Sequence, residues 1–244
     1  MERKIRVGAV SYLNTKPLVF GFEKGLMKDE IELSFDYPAK VAARLLENKI
    51  DMGLIPIAVI PKLAEHYIIS DYCIGASRAV ASVCLFSDVP LEQITEILVD
   101  YQSRTSAALL KILLRDFWKI HPELIDTNNH FQQKIKGSTA GLVIGDRALI
   151  QRQHSKYIYD LAEAWQQMTG LPFVFAAWVA NKKLPEGFAE SFSKATGEGL
   201  KHLKEIACSI NFTDYDMFHY FNENIDYRLD NRKKEAIQLF LSLL

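Results

Sequence analysis

Between Lys4 and Ala180 short apolar runs alternate with amphipathic stretches. This rhythm constrains the fold more than any other feature, because strands alternating with helical patterns build α/β sheets. Strands are expected at KIRVGAV (4–10), IELSFDY (31–37), IDMGLIPIAVI (50–60, until Pro56 interrupts it), YIISDYCIGAS (67–77) and AVASVCLFS (79–87). Further strands are expected at the end of LEQITEILVD (91–100), at GLVIG (141–145) and at LPFVFAAWVA (171–180). Helical spacing marks LVFGFEKGLM (18–27), with Pro17 near its start, AKVAARLLENK (39–49), a short IPKLAEHY (60–67) and YDLAEAWQQMTG (159–170), which stops at Gly170. The clearest helix is SRTSAALLKILLRDFW (103–118), where Leu109, Leu110, Leu113 and Leu114 share a face behind Ser/Thr caps. From Pro185 onward the pattern is helical, in two or three pieces.

This order fits two α/β lobes crossed twice by the backbone, near Phe86–Val89 and Pro172–Ala176. Lobe 1 is expected to comprise 1–87 with 175–244, and lobe 2 the inserted 88–174. A chain of 244 residues has ample length for that core. Its net charge of −1 and scattered charges point to neither nucleic acid nor an anionic membrane as partner. The densest basic cluster, Arg232-Lys233-Lys234, reads as a solvated helix face. The N-terminal apolar run stops at Ser11, shorter than a signal peptide requires, and no run approaches a membrane span. A soluble, cytoplasmic protein is expected. Cys73, Cys84 and Cys208 sit among apolar neighbours and read as buried thiols.

Polar clusters stand where strands hand over to helices. Ser11, Tyr12, Asn14 and Thr15 follow the first strand, and Ser103-Arg104-Thr105-Ser106 opens the clearest helix. Helix N-termini carry unpaired N–H groups and attract carboxylates or phosphates. Ligands of open α/β sheets bind beyond the carboxyl ends of the strands. Two such clusters, one per lobe, suggest a small dianion held in a cleft; each also reads as plain capping. Other chemistry is thin. No glycine-rich nucleotide loop occurs, and the six histidines (66, 121, 130, 154, 202, 219) lack metal-ligand spacing, so no metal or cofactor is expected. Ser191-x-x-Lys194 matches one β-lactamase motif without its companions, and His219 in MFHYF reads as packed. Asp146-Arg147, after GLVIG, is either a surface pair or a lobe–lobe contact; Asp71 and Asp100 are lone carboxylates near strand ends.

Four stretches, VGAVSYLNTKPL, DYQSRTSAALLKILL, AGLVIGDRAL and YDLAEAWQQMTGLPFVFAAW, together with a C-terminal NIDYRL region, resemble the chorismate dehydratase family of the futalosine route to menaquinone. The resemblance spans the chain. It implies a type II periplasmic-binding-protein-like fold, two α/β lobes around a hinged central cleft, in a cytoplasmic, cofactor-independent enzyme, monomeric or homodimeric, whose small-molecule partner is chorismate. The related 1,4-dihydroxy-6-naphthoate synthase family carries a catalytic His in an I-H-E element where this chain reads Ile144-Gly145-Asp146. Gly145 cannot act as a base, which favours the dehydratase. A non-catalytic solute-binding protein for a small carboxylate is the other alternative. A ligand-responsive regulator would bring a helix-turn-helix, and no such segment precedes residue 4.

Under this resemblance Asn14 and Ser82 are the catalytic candidates, both placed to donate toward a departing hydroxyl. Ser11, Tyr12 and Thr15 would support Asn14. Ser103, Thr105 and Ser106 would cradle a carboxylate, while Arg104 either pairs with it or braces the loop. Pro56 and Ile57 would form an apolar wall, Gly145 would line the site, and Arg78 is a weaker candidate for the second carboxylate.

Overall fold

A computed structural model describes residues 3–100, 104–127 and 131–244. Its strands are β1 (Ile5–Val10), β2 (Ile31–Asp36), β3 (Met52–Pro56), β4 (Tyr67–Ala76), β5 (Val83–Ser87), β6 (Glu96–Val99), β7 (Glu123–Asp126), β8 (Thr139–Ile144), β9 (Tyr157–Asp160) and β10 (Phe173–Ala180). The helices are α1 (Lys16–Glu23), α2 (Pro38–Leu46), α3 (Arg104–Ile112), α4 (Asp146–Gln151), α5 (Leu161–Thr169), α6 (Phe188–Glu198), α7 (Leu203–Ser209), α8 (Met217–His219) and α9 (Asn231–Ser242). Leu113–Trp118 after α3 and Tyr220–Asn224 after α8 are π-helical.

The strands form two five-stranded sheets, in the orders β2-β1-β3-β10-β4 and β7-β6-β8-β5-β9. Each sheet has a parallel trio, β2-β1-β3 or β7-β6-β8, and an antiparallel strand contributed across the lobe boundary. β10 lies antiparallel between β3 and β4, and β5 antiparallel between β8 and β9. The two antiparallel strands are where the backbone changes lobe. The first crossing therefore falls earlier than the sequence suggested, since residues 83–87, expected in lobe 1, pair in the second sheet, while β10 joins the first sheet from Phe173, inside the expected Pro172–Ala176 crossing. Buried positions follow the sequence pattern. β3 is buried throughout, as a central strand must be, whereas the edge strand β2 is half-buried or exposed beyond Ile31. The C-terminal helices pack against lobe 1, with α6 on α1 and β4, and α9 on β10.

α5 shows how a local signal becomes a global constraint. Asp160 is its N-cap, accepting N–H groups from Ala162 and Glu163, with Glu163 at the capping-box position. Gly170, at φ 74°, closes the other end. The same buried carboxylate also accepts the N–H groups of Val80 (3.2 Å) and Ala81 (2.8 Å), in the crossing between β4 and β5. Ala81 is held there at φ 63°, a left-handed conformation that alanine adopts only when its surroundings enforce it. Trp165 of α5 packs edge-on to Phe173 and Phe240 beside the second crossing, and its indole N–H donates to the Pro172 carbonyl.

Three expectations about surface and core are corrected. Lys233, read as part of a solvated face, is fully buried and paired with Asp226, which also accepts from Ser77. Cys208 is exposed, while Cys73 and Cys84 are buried. His219 is exposed, with its ring near that of Tyr215.

Replacing Asp160 by alanine would strand four backbone N–H groups. Asp160→Ala is expected to destabilise the fold by about 2–4 kcal/mol in chemical denaturation, from the lost cap and the unsatisfied donors. A loss below the cost of an ordinary exposed cap would show that the crossing is held by other means.

Candidate active site

Between the lobes lies a narrow cleft with a cavity volume of about 50 Å³. Lobe 1 contributes Tyr12, Asn14, Thr15, Pro38, Pro56 and Ala176, lobe 2 contributes Thr105, Ser106 and Gly145, and the crossing contributes Val80 and Ser82. Among the described residues the lining includes no Lys, Arg, His, Asp or Glu. It is an apolar slot studded with amide and hydroxyl groups.

Each polar group has a local reason for its position. After β1 the chain turns through a 3₁₀ segment, Leu13–Thr15, which places Asn14 and Thr15 at the carboxyl end of the strand, ahead of α1. Tyr227 donates to the Asn14 carbonyl (3.0 Å), and Thr15 Oγ1 lies 3.5 Å from Asn14 Oδ1 as donor. Ser82 is fully buried immediately after the left-handed Ala81, and Tyr220 Oη donates to its Oγ at 2.7 Å. The Asn14 side chain also hydrogen-bonds the Tyr220 oxygen. Burial pushes the Tyr220 hydroxyl far above its usual titration range, so it stays protonated. Thr105 and Ser106 occupy the first turn of α3 and are buried. Thr105 Oγ1 is not spent on capping its own helix; it accepts the Ala58 N–H of lobe 1 at 3.2 Å.

The lobes also meet beside the cleft. Leu13 N–H donates to Asp146 Oδ1 at 3.0 Å, so Asp146 makes a lobe–lobe contact. Arg147 pairs with the buried Asp100 at 2.6 Å and hydrogen-bonds the Tyr12 hydroxyl. Tyr12 lies against Gly145, where any Cβ would come within 3.0 Å of its ring. Gly145 adopts φ 65°, ψ −149°, a conformation open in practice only to glycine. Burial pushes the Asp146 carboxyl up to about 6, against the opposing pull of the Leu13 N–H and Arg147.

Asn14, Ser82, Tyr12, Thr15, Pro56, Thr105, Ser106 and Gly145 thus come together from distant parts of the sequence. Other expected residues lie off the lining. Ser11 is exposed in an adjoining surface groove with Lys16 and Phe35, because it precedes the 3₁₀ turn. Ile57 is buried in the core beneath Pro56. Arg104 and Arg78 are exposed and do not line the cleft, and Ser103 lies outside the described residues. Sequence reasoning missed Tyr220 and Tyr227. Both sit in the C-terminal segment, and of the two only Tyr227 falls within the NIDYRL stretch.

The comparisons with known proteins converge. Residues 5–244 match a family described as menaquinone biosynthesis. The chain belongs to this family. It is 27% identical to a chorismate dehydratase of Campylobacter jejuni, over 96% of this chain and 95% of that protein. It is 25% identical to a chorismate dehydratase of Thermus thermophilus, over 82% of this chain and 79% of that protein. In structure it is similar to a Candida albicans protein with the generic periplasmic-binding-protein fold, at TM-score 0.63 and 11% identity, over 100% of this chain and 91% of that one. The fold is that of the periplasmic binding proteins, and the sheets and crossings described above are its two lobes and hinge.

Asp146 gives this family member a testable pH signature. An aspartate in the unfolded chain titrates near about 4, so around pH 5 folding takes up a proton at this carboxyl. Its contribution to stability is full below that value and is lost as pH rises through about 6. Asp146→Asn keeps an acceptor for Leu13 and removes the titration. The stability of the variant relative to wild type is expected to climb between pH 4 and 7 by on the order of 2 kcal/mol, read from urea unfolding at several pH values. A pH-independent difference would show an ordinary carboxyl.

Proposed function

We propose that this protein is a chorismate dehydratase, eliminating water from chorismate to give 3-[(1-carboxyvinyl)oxy]benzoate. The observation that carries the reading is a two-lobed cleft lined by neutral donors and apolar walls, in a chain of the menaquinone-biosynthesis family. Chorismate bears two carboxylates on a ring one elimination away from aromaticity. The C3–H bond and the C4–OH bond break, the C3 electron pair completes the aromatic ring, and proton and hydroxide leave together as water. Aromatisation supplies the driving force, so the site has chiefly to orient the substrate and stabilise the departing hydroxyl. No redox or group-carrying cofactor enters this balance.

A lining without an ionisable base suits a reaction in which the substrate brings its own. The enolpyruvyl carboxylate, folded over the ring, takes the C3 proton. Asn14 and Ser82 donate to the leaving hydroxyl. Thr105 and Ser106, at the N-terminal turn of α3, receive a carboxylate where helix N–H groups and hydroxyls point the same way. Pro56, Val80 and Ala176 wall the ring. Gly145 weighs against the naphthoate synthase reading. The left-handed backbone and the Tyr12 ring leave no place for a catalytic side chain there.

Incubation of the purified protein with chorismate, followed by mass spectrometry, is expected to show loss of one water. Unchanged chorismate would reject the assignment and favour a binding protein. In the same assay Asn14→Ala is expected to lower kcat by about 10²–10³ with the fold intact; near-normal turnover would remove Asn14 from the mechanism. Thr105→Val is expected to raise KM, and an unchanged KM would reduce this hydroxyl to a lobe–lobe contact.

A further inference from the structure

The π-helical turn Tyr220–Asn224 is fastened to the first crossing at both ends. Tyr220 reaches Ser82, and Asn224 Nδ2 donates to the Ala79 carbonyl at 3.0 Å. Asn224 is itself held by the Tyr215 hydroxyl at 3.1 Å. Three residues after this turn's end, Tyr227 fixes the backbone of Asn14. One C-terminal segment therefore grips both catalytic candidates, which come from separate elements. π-Turns recur at functional sites, since the extra residue distorts the helix to aim particular side chains. Tyr220 is fully buried and does not line the cleft, so packing alone would be served by phenylalanine.

The hydroxyl has a directional consequence. The contacts fit one ordered chain: with the Asn14 amide able only to donate to the Tyr220 oxygen, Thr15 Oγ1 donates to Asn14 Oδ1 and Tyr220 directs its own hydrogen to Ser82 Oγ. Asn14 is thereby fixed with its carbonyl toward Thr15 and its amide toward Tyr220. Ser82 receives a hydrogen bond from within the protein, and its own hydrogen is left for the cleft that it lines. A serine in that state is a donor to whatever oxygen occupies the cleft. Without Tyr220, Ser82 could turn its hydrogen inward and present only lone pairs.

We propose that Tyr220 is a positioning residue for the elimination, setting the direction of the Thr15–Asn14–Tyr220–Ser82 hydrogen-bond chain so that Asn14 and Ser82 both donate toward the leaving hydroxyl. The inference rests on the dehydratase reading for its consequence in turnover, and on the hydrogen-bond chain alone for its geometry.

Two readouts keep these apart. The first needs no substrate. The side-chain amide resonances of Asn14, identified by their loss in Asn14→Ala, are expected to shift in Tyr220→Phe, and unmoved resonances would overturn the proposal. The second is kinetic. Tyr220→Phe is expected to lower kcat with chorismate by about 10–100-fold while KM changes little, as for partners that orient a reacting group. Combining it with Ser82→Ala is expected to cost little beyond Ser82→Ala alone, because both changes disable the same donor. Wild-type kcat in Tyr220→Phe, a loss confined to KM, or fully multiplicative losses in the double variant would each overturn the proposal. If the wild-type protein leaves chorismate intact, the dehydratase reading falls and the amide resonances still decide the chain's direction. Should Tyr220→Phe not fold, Ser82→Ala takes its place in the resonance measurement, because the Tyr220 O–H then loses its acceptor and the Asn14 amide moves with it.

Discussion

The Asp160 carboxylate is the interaction on which the rest of the molecule depends. It ends β9, caps α5 and gathers the N–H groups of Val80 and Ala81. Burial alone would drive this carboxyl toward its neutral form, and four backbone donors oppose that. By holding Ala81 in a left-handed conformation it forces the chain to turn once more before β5 begins. Ser82 is delivered into the cleft by that turn. A residue outside the cleft lining thus decides where one of the cleft's hydroxyls stands.

The charged groups of the region are kept out of the cleft and used around it. Arg147 is engaged with Asp100 and Tyr12, and Asp146 with Leu13, so ionic and polar contacts set the separation of the lobes beside an uncharged lining. In a slot with apolar walls each amide or hydroxyl donor acts at low local dielectric, where it is worth more than in water. A lysine or arginine inside would bind a carboxylate substrate strongly in its ground state. In the proposed elimination, neutral donors reserve more of their effect for the moment when charge builds on the departing oxygen.

Much of this was legible in the residues. Strand–helix alternation gave the two α/β lobes, and the polar clusters after β1 and at the start of α3 marked the carboxyl ends where the cleft opens. The helix before Gly170 was legible from its amphipathic spacing and its glycine stop. What escaped were relations between distant segments. Tyr220 is 138 residues from Ser82, and no periodicity reports such a contact. Lys233 looked solvated because its neighbours are charged, yet its face of α9 meets Asp226 and the backbone near Gly75. Ser11 and Ile57 stand one residue outside the cleft lining. A 3₁₀ turn and a strand end each rotate successive side chains by angles that apolar patterning does not encode.

The exchange of strands between lobes also orders the birth of the molecule. Among the described residues β4 has β10 as its single neighbour in the sheet, and its one bridge elsewhere is to Arg228. As the chain leaves the ribosome, β1, α1, β2, α2 and β3 can assemble locally, but β4 emerges as an unclaimed edge. It must wait through synthesis of the entire inserted lobe before its partner arrives. A ten-residue strand left open for that interval is a natural template for pairing with another nascent chain. Its charge at Asp71, midway along, is a modest guard against that mispairing.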